Sequence, residues 1–252
     1  MIRAFFMVTV LTSCFSPGKN DDSFFSKPKK TFEAKLDKMP AAEVDTTYFQ
    51  ICRNLEARRK KLSAEYSGAL TDDAKENVLV KARDLLLTTL ADSLFVCWYG
   101  TGWDFYGMTT TPRQGDIACG YFVTTVLKQS GFLINRTHLA QLASSEMIKT
   151  LCAADKIKTI TNNQTKKLFD YIKGKPDGIF IVGLDNHTGF IVKKGGALNF
   201  VDADYYSNID RVRSEPLEKS EIISKNGFFV VGELLYSDAT ITKWIKGEKI
   251  DD

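Results

Sequence analysis

The hydrophobic pattern of the chain changes its period once, close to Pro176, and this change limits the folds that are possible. Before Pro176, apolar side chains recur at helical spacing. After it they form short runs separated by turn residues, which are typical of strands. The predicted strands cover residues 178–184, 187–192, 198–201 and 228–236. Helices followed by an antiparallel meander predict an α+β fold.

The helical half begins with a predicted hairpin. One helix covers residues 45–65, and a second begins at Thr71 with acidic residues in its first turn and a broad apolar stripe behind them. We therefore expect residues 41–95 to form an N-terminal helical hairpin and residues 96–252 a larger domain. Further helices are predicted at 119–130, at 137–151 with Thr137 as N-cap, at 161–174 and at 241–245.

Composition excludes several classes of protein. The 252 residues carry a net charge of +3 with the lysines spread along the chain, so no nucleic-acid-binding surface is indicated. No apolar run reaches the length of a usual membrane span. The two histidines and the absence of a Cys-x-x-Cys pair argue against a structural metal, and we expect neither a metal nor a cofactor.

The N-terminus has the parts of a secretory signal: a basic residue, Arg3, a short apolar run and small residues. Leu11-Thr-Ser-Cys14 resembles the lipobox of bacterial lipoproteins, which implies a signal peptide at 1–13, lipidation of Cys14 and a flexible linker at 14–40. The alternative is a plain signal peptide with a chance cysteine. The lipoprotein interpretation predicts a lipid-anchored envelope protein. Because Phe15 rather than aspartate follows Cys14, the outer membrane is favoured.

Cys119 is the strongest candidate nucleophile among the four cysteines that remain. It lies in the stretch Gly115–Phe132, where it opens a predicted helix that Gly131 ends. The positive end of a helix dipole lowers the pKa of a thiol and favours the reactive thiolate. The other three are Cys52, Cys97 and Cys152. A bridge from Cys52 to Cys97 or Cys152, or buried free thiols, are both compatible with the sequence.

A thiolate nucleophile requires a base, and the base requires a group that orients it. His187 opens a predicted strand beside a turn, whereas the competing His138 is expected on a helix surface. The next strand offers Asn199, Asp202 and Asp204. Strand alternation and pairing across the hairpin at 193–196 place Asp202 nearest His187.

Residues 95–111 combine aromatic residues with glycines and have no regular period. Such a segment forms either a loop that lines a cleft or a buried aromatic plug. If it lines a cleft, the side chains with polar tips are the candidate substrate contacts: Trp98, Tyr99, Trp103 and Tyr106.

These motifs resemble the NlpC-type papain-like cysteine peptidases over roughly residues 98–206. Their nucleophile motif is similar to Tyr106-Gly107 followed by Ile117-Ala118-Cys119-Gly120 and an apolar helix. Their His-Val-Gly-Ile-Tyr strand is matched by His187-Thr-Gly-Phe-Ile191, and their third position falls on Asp202 in Phe200-Val-Asp-Ala203. The family has Asp and Ser where this chain has Ala118 and Gly120.

The resemblance implies a papain-like core with Cys119 as nucleophile, His187 as base and Asp202 as orienting group. It also implies cleavage of peptide or amide bonds in peptidoglycan stem peptides. Independently of the resemblance, we expect a monomer, with the Cys119 N–H and a donor from the aromatic loop as oxyanion hole. Two alternatives remain: amidase or acyl-transfer chemistry on another substrate, or a non-catalytic lipoprotein that binds cell-wall peptides. The N-terminal hairpin either covers the cleft or supports the Cys119 helix.

Overall fold

The structure is a computed structural model that describes residues 29–161, 164–206 and 209–250. The predicted signal peptide, Cys14 and most of the predicted linker lie outside the described residues. In the described part of the chain, no helix is both long and apolar enough to span a membrane.

The N-terminal part is helical from its first described residue. Its elements are α1 (Lys29–Leu36), α2 (Ala41–Gly68), α3 (Asp72–Thr89), a π-helical turn (Leu90–Leu94) and α4 (Phe95–Trp98). The prediction of a flexible linker as far as residue 40 is wrong over α1. Phe32 and Leu36, four residues apart, lie on one side of this short helix and are buried in the main core.

The predicted helical hairpin is confirmed as α2 and α3, and Thr71 is the N-cap of α3, because its hydroxyl accepts a hydrogen bond from the N–H of Ala74 at 3.2 Å. The expected boundary after residue 95 falls inside continuous helical backbone between Asp72 and Trp98. The hairpin also contributes to the same hydrophobic core as the rest of the chain. It is therefore packed into the molecule.

Four helices occupy the middle of the chain: α5 (Cys119–Gln129), α6 (Arg136–Gln141), α7 (Ser144–Leu151) and α8 (Thr165–Lys173). The helix at Cys119 is confirmed, and Gly131 follows its end with a φ of 94°. The single helix predicted over 137–151 is wrong, since Leu142 and Ala143 are extended and separate α6 from α7. The N-cap of α6 is Asn135 and not Thr137, since the side chain of Asn135 accepts a hydrogen bond from the N–H of His138 and asparagine is the stronger capping residue.

The described residues form one six-stranded sheet in the order β1-β6-β2-β3-β4-β5, with every neighbouring pair antiparallel. The α+β class and its antiparallel meander are thus confirmed. The strands are β1 (Ile157–Ile160), β2 (Gly178–Gly183), β3 (Thr188–Lys194), β4 (Ala197–Asp204), β5 (Arg211–Pro216) and β6 (Phe229–Gly232). The sequence had not predicted β1 or β5, and the strand expected over 228–236 ends at Gly232.

Two short helices complete the chain, α9 (Glu221–Lys225) and α10 (Asp238–Lys246). The sheet is covered on both faces. One face packs against α5 and the N-terminal helices in the main core, and the other carries a second cluster with Leu168 and Ile172 of α8. Because α5 lies across β3 and β4, its first residue, Cys119, is brought to the end of the sheet where β2 turns into β3.

Trp98 is a core residue, and its truncation tests the packing of the N-terminal helices. Its ring is fully buried and meets those of Tyr48 and Phe122 edge-on, with centroids 5.9 and 6.0 Å away. We expect Trp98→Ala to lower the free energy of unfolding by about 3–5 kcal/mol, because it removes a large buried side chain. Urea denaturation measures the change.

The matched control is Leu70→Ala, since Leu70 is an apolar residue that is 95% exposed between α2 and α3. Its unfolding free energy should stay within about 0.5 kcal/mol of the unchanged protein. Equal midpoints for the two variants would contradict the position of Trp98 in the core.

Candidate active site

Cys119 is the first residue of α5, directly after Ala118, which has an extended backbone. The N–H groups in the first turn of a helix have no intrahelical carbonyl to bind, and together with the helix dipole they favour a negative charge. Cys119 is therefore located where a thiolate is stabilised, and its own N–H is available to a developing oxyanion, as the sequence predicted.

The backbone before Cys119 is held by the loop that precedes it. The N–H of Ala118 donates to the carbonyl of Gly107 at 2.9 Å, and that of Ile117 donates to the carbonyl of Gly102 at the same distance. A Cβ on Gly107 would lie 2.6 Å from the backbone of Ile117. The Tyr-Gly pair at 106–107 thus permits a close backbone contact that fixes the start of α5.

Gly120 also has a packing role. A Cβ at this position would lie 2.5 Å from the carbonyl oxygen of Ala140 in α6. Even the smallest side chain would separate α5 from α6 beside Cys119. The glycine that departs from the NlpC-type motif therefore fits the close approach of these two helices.

His187 and Asp202 form a buried hydrogen-bonded pair. Nε2 of His187 lies 2.7 Å from Oδ2 of Asp202, and both side chains are almost completely inaccessible to solvent. His187 precedes β3 and Asp202 is on β4, where the pairing of Phe190 with Val201 sets the register. Gly189 allows the contact, since a Cβ there would lie 2.8 Å from the Cβ of Asp202.

The pKa of His187 is raised although its ring is buried. Burial alone lowers the pKa of an imidazole, but the hydrogen bonds and charges of Asp202 and Cys119 outweigh it and raise the pKa to about 10. Burial raises the pKa of Asp202 to about 6, against the opposing effect of His187. At neutral pH the site therefore favours an imidazolium between a carboxylate and a sulfur.

The pKa of Cys119 is lowered from its ordinary value. Burial raises it, but the hydrogen bond and the positive charge of His187, with the backbone N–H groups of Thr188 and Gly120, have the larger combined effect. Because Nε2 of His187 is used by Asp202, the ring nitrogen left for the thiol is Nδ1. Nδ1 is buried and has no hydrogen-bond partner among the described residues, so it is free to exchange a proton with the thiol.

Tyr205 covers the imidazole on one side. Its ring meets that of His187 at 5.4 Å with an interplanar angle of 72°, and it packs against Trp103 at 5.0 Å. Burial and the charge of Cys119 raise the pKa of the Tyr205 phenol, so its hydroxyl remains a hydrogen-bond donor. No sequence pattern had marked Tyr205, although it lies three residues after Asp202.

An ion-pair network lies beside the buried aspartate. Arg213 of β5 pairs with Asp204 at 2.5 Å and with Glu215 at 3.0 Å. Asp204 raises the pKa of Asp202 and Arg213 lowers it, so the arginine offsets part of the repulsion between the two carboxylates on β4. Asp204 is therefore paired with Arg213 of β5, whereas Asp202 is hydrogen-bonded to His187.

The cleft at Cys119 has two lobes that share Cys119, Gly120, Ala140 and Asn186. The larger lobe has a volume of 710 Å³ and the smaller one 180 Å³. Residues lining either lobe lie between positions 103 and 205. No described residue of the N-terminal hairpin lines either lobe, and the hairpin shares its core with α5, which agrees with the expectation that it supports the Cys119 helix.

The four predicted aromatic contacts divide into two pairs. Trp103 and Tyr106 line the larger lobe. The assignment of Trp98 to the substrate is wrong, because α4 turns its ring into the core. Tyr99 is also turned away from the cleft: its hydroxyl is buried, and its ring lies beneath the ammonium group of Lys29 at 5.7 Å. The start of the segment therefore forms part of the buried core, which is the alternative of an aromatic plug, whereas its end lines the cleft.

A donor from the aromatic loop was predicted for the oxyanion hole. Nε1 of Trp103 is buried and has no hydrogen-bond partner in the described part of the chain, but the same holds for Nε1 of Trp98 and the hydroxyl of Tyr99, so the loop donor stays a prediction. Asn186 lines both lobes and Gln141 lines the larger one. No sequence pattern had marked these two amides.

The other candidate residues lie outside the site. His138 borders a separate cavity with Asn135 and Thr150. Cys52, Cys97 and Cys152 are free thiols, so neither disulfide considered from the sequence is present. Burial raises the pKa of all three, that of Cys52 to about 12. Among the described residues, no group of three or more His, Cys, Asp or Glu side chains is placed to hold a metal ion.

Neither a protein-family model, nor a curated protein, nor a solved structure matches this chain. The resemblance to the NlpC-type peptidases therefore rests on the residues quoted above. The geometry around Cys119 provides the physical argument for function.

The lowered pKa of Cys119 predicts fast alkylation below the ordinary thiol pKa of about 8.5. We expect iodoacetamide to modify Cys119 at pH 7 while Cys52, Cys97 and Cys152 stay protonated and unmodified. Peptide mass mapping after short exposures measures the rate at each thiol as a function of pH.

His187→Gln supplies the control, because glutamine has no positive charge. Burial then dominates, and the midpoint of Cys119 alkylation should move upward by at least about one pH unit. An unchanged midpoint in His187→Gln would contradict the proposed pairing of thiolate and imidazolium.

Proposed function

We propose that this chain is a cysteine hydrolase of peptide or amide bonds with a papain-like core. The observation that carries the proposal is Cys119 at a helix N-terminus, with a lowered pKa, next to a buried His187–Asp202 pair. A thiolate, a proton donor and an orienting carboxylate are the groups required for nucleophilic acyl transfer.

In the first half of the reaction the Cys119 thiolate attacks the carbonyl carbon of the amide. The negative charge that develops on the carbonyl oxygen is stabilised by the Cys119 N–H, with a donor from the loop before α5 completing the oxyanion hole. His187 gives its Nδ1 proton to the nitrogen as the C–N bond breaks. The amine leaves, the acyl group remains as a thioester on Cys119, and His187 is neutral.

In the second half water hydrolyses the thioester. Neutral His187 takes a proton from the water as the oxygen attacks the acyl carbon, and the C–S bond breaks. The acid leaves, and the thiolate and the imidazolium are restored. Throughout, the hydrogen bond to Asp202 keeps Nδ1 directed at the sulfur and stabilises the charged ring.

We propose stem peptides of peptidoglycan as the substrate. Two features of the sequence support this: the resemblance of the Cys119 and His187 segments to the NlpC-type peptidases, and the lipobox-like Leu11-Thr-Ser-Cys14. With Cys14 lipidated, the monomeric domain would be anchored in the envelope, on the outer membrane, where it meets peptidoglycan.

An amidase acting on a different acyl group is the second candidate. The larger lobe favours it, because its lining residues are aromatic, apolar or uncharged, whereas stem peptides carry carboxylates. A non-catalytic peptide-binding module is less consistent with the lowered pKa of Cys119, because binding alone does not require a thiolate.

Removal of the nucleophile tests the proposal. We expect purified peptidoglycan incubated with the unchanged protein to release new peptide or amine termini, and Cys119→Ala to release at least about a thousandfold less, because the thioester cannot form. Mass spectrometry of the soluble fragments identifies the bond that is cut.

Cys152→Ala is the matched control, since Cys152 is a buried free thiol away from the cleft. The product yield of Cys152→Ala, divided by the amount of folded protein, should equal that of the unchanged protein. Equal yields from Cys119→Ala and the unchanged protein would rule out the proposed mechanism.

The pH profile of hydrolysis tests the role of Asp202. In the unchanged protein, activity should fall in acid as the thiolate and Asp202, with its pKa of about 6, become protonated. It should fall in alkali as His187 loses its proton near its pKa of about 10. Asp202→Asn removes a negative charge that raises the pKa of His187, so the alkaline limb should move to lower pH. An alkaline limb unchanged by this substitution would contradict the role of Asp202.

A further inference from the structure

The two lobes of the cleft differ in size and in lining. The larger lobe, of 710 Å³, is within the range of ligand pockets, about 300–1,000 Å³, whereas the smaller one, of 180 Å³, is below it. The larger lobe is lined by four aromatic residues besides Tyr205: Trp103, Phe105, Tyr106 and Tyr121. The smaller lobe lies between α6, α7 and the β2–β3 turn, and its walls combine aliphatic side chains with polar ones such as Ser144 and Asp185.

The position of His187 assigns the lobes to the two sides of the scissile bond. The leaving nitrogen must receive its proton from His187, so the amine has to lie beside this ring. His187 and Thr188 line the smaller lobe. On the side of the larger lobe, Tyr205 lies between the imidazole ring of His187 and the cavity, since Tyr205 lines that lobe and packs on the imidazole. The amine therefore lies in the smaller lobe and the acyl group in the larger.

The lining of the larger lobe indicates the chemistry of the acyl group. Phe105 and Tyr106 pack edge to face at 5.1 Å and are nevertheless 70% and 80% exposed, so their rings extend into solvent at the rim of the cleft. Met108, also exposed, lies beside them. Rigid aromatic rings bind flat apolar faces with little loss of side-chain entropy. No ionised side chain other than Cys119 is among the lining residues of this lobe.

We infer that the larger lobe is an acyl-side subsite for a group with a flat, largely apolar face, and that the smaller lobe accepts only a small amine. This inference rests on the proposed function and specifies which bond fits the cleft. Both an aromatic ring and the apolar face of a sugar ring have the required chemistry.

A pair of isomeric amides tests the assignment of the lobes. Phenylacetyl-alanine amide carries its phenyl group on the acyl side, and acetyl-phenylalanine amide carries it on the amine side. We expect kcat/KM to be at least about tenfold higher for the first, because a misplaced ring does not fit the smaller lobe. Mass spectrometry measures the release of alanine amide or phenylalanine amide. Equal values, or the reverse order, would overturn the inference.

A third probe, N-acetylmuramoyl-alanine amide, distinguishes the two groups that could present the flat face, a sugar ring and an aromatic ring. If the lobe binds a sugar ring, this probe is cleaved faster than phenylacetyl-alanine amide. If it binds an aromatic acyl group, the order is reversed. Either order supports an acyl-side lobe, provided that kcat/KM for both probes is higher than kcat/KM for acetyl-alanine amide, which lacks the flat group. No advantage over acetyl-alanine amide for either probe would contradict the inference.

Tyr106→Ala tests the aromatic wall. Because Tyr106 is exposed, we expect the variant to fold normally and to lose about three- to tenfold in kcat/KM for the better bulky-acyl probe. Its kcat/KM for acetyl-alanine amide, which does not reach the wall, should fall by a smaller factor than that for the bulky-acyl probe. Leu70→Ala, with an exposed apolar residue between α2 and α3, is the control and should leave both values unchanged.

Binding to Cys119→Ala distinguishes failure of this inference from failure of the proposed function. Titration of this variant is followed by its tryptophan fluorescence, to which Trp103 in the lobe contributes. Tighter binding of phenylacetyl-alanine amide than of its isomer supports the subsite even if neither amide is hydrolysed by the unchanged protein. Equal binding of the isomers overturns the subsite, and hydrolysis of peptidoglycan would then still support the proposed function.

Discussion

The hydrogen bond between His187 and Asp202 is the interaction on which the rest of the site depends. Two ionisable groups are held at 2.7 Å in a place that solvent does not reach, where removing charges from water costs several kcal/mol for each ion. The cost is offset only if the geometry is good and the charged groups have further favourable partners. The register of β3 against β4 supplies the geometry, and Cys119 is a further partner of the imidazolium.

The position of Cys119 depends in turn on backbone contacts that exclude side chains. Gly107 lets the loop before α5 pair with the backbone of Ile117, Gly120 lets α5 approach α6, and Gly189 lets β3 approach Asp202. Interiors are packed densely enough that an added methyl group at such contacts displaces its neighbours. The three glycines therefore permit the close contacts that surround Cys119 and the His187–Asp202 pair.

The N-terminal helices support this arrangement from behind. Trp98 joins Tyr48 of α2 to Phe122 of α5, so the helix that carries the nucleophile shares its core with the hairpin. The loop that follows Trp98 then crosses from the core to the cleft within a few residues. A single aromatic segment thus contributes both to stability and to the wall of the candidate subsite.

The sequence by itself determined the parts of this protein that depend on local pattern. The period of the apolar residues predicted the α+β class and the helix at Cys119, and strand alternation with a short hairpin predicted the proximity of His187 and Asp202. The strand β5 escaped prediction because Arg211–Pro216 contains a single buried apolar residue, Val212, and so lacks the apolar alternation of the other strands.

Only the tertiary structure decided which aromatic residues face the cleft, which cysteines are inert, and that Tyr205 covers the imidazole. The physical reason is that periodicity reports the direction of a side chain relative to its own helix or strand. Burial of Trp98, the raised pKa values of Cys52, Cys97 and Cys152, and the contact of Tyr205 with His187 depend on neighbours distant in sequence. Those neighbours are brought together only when α5 packs on the sheet.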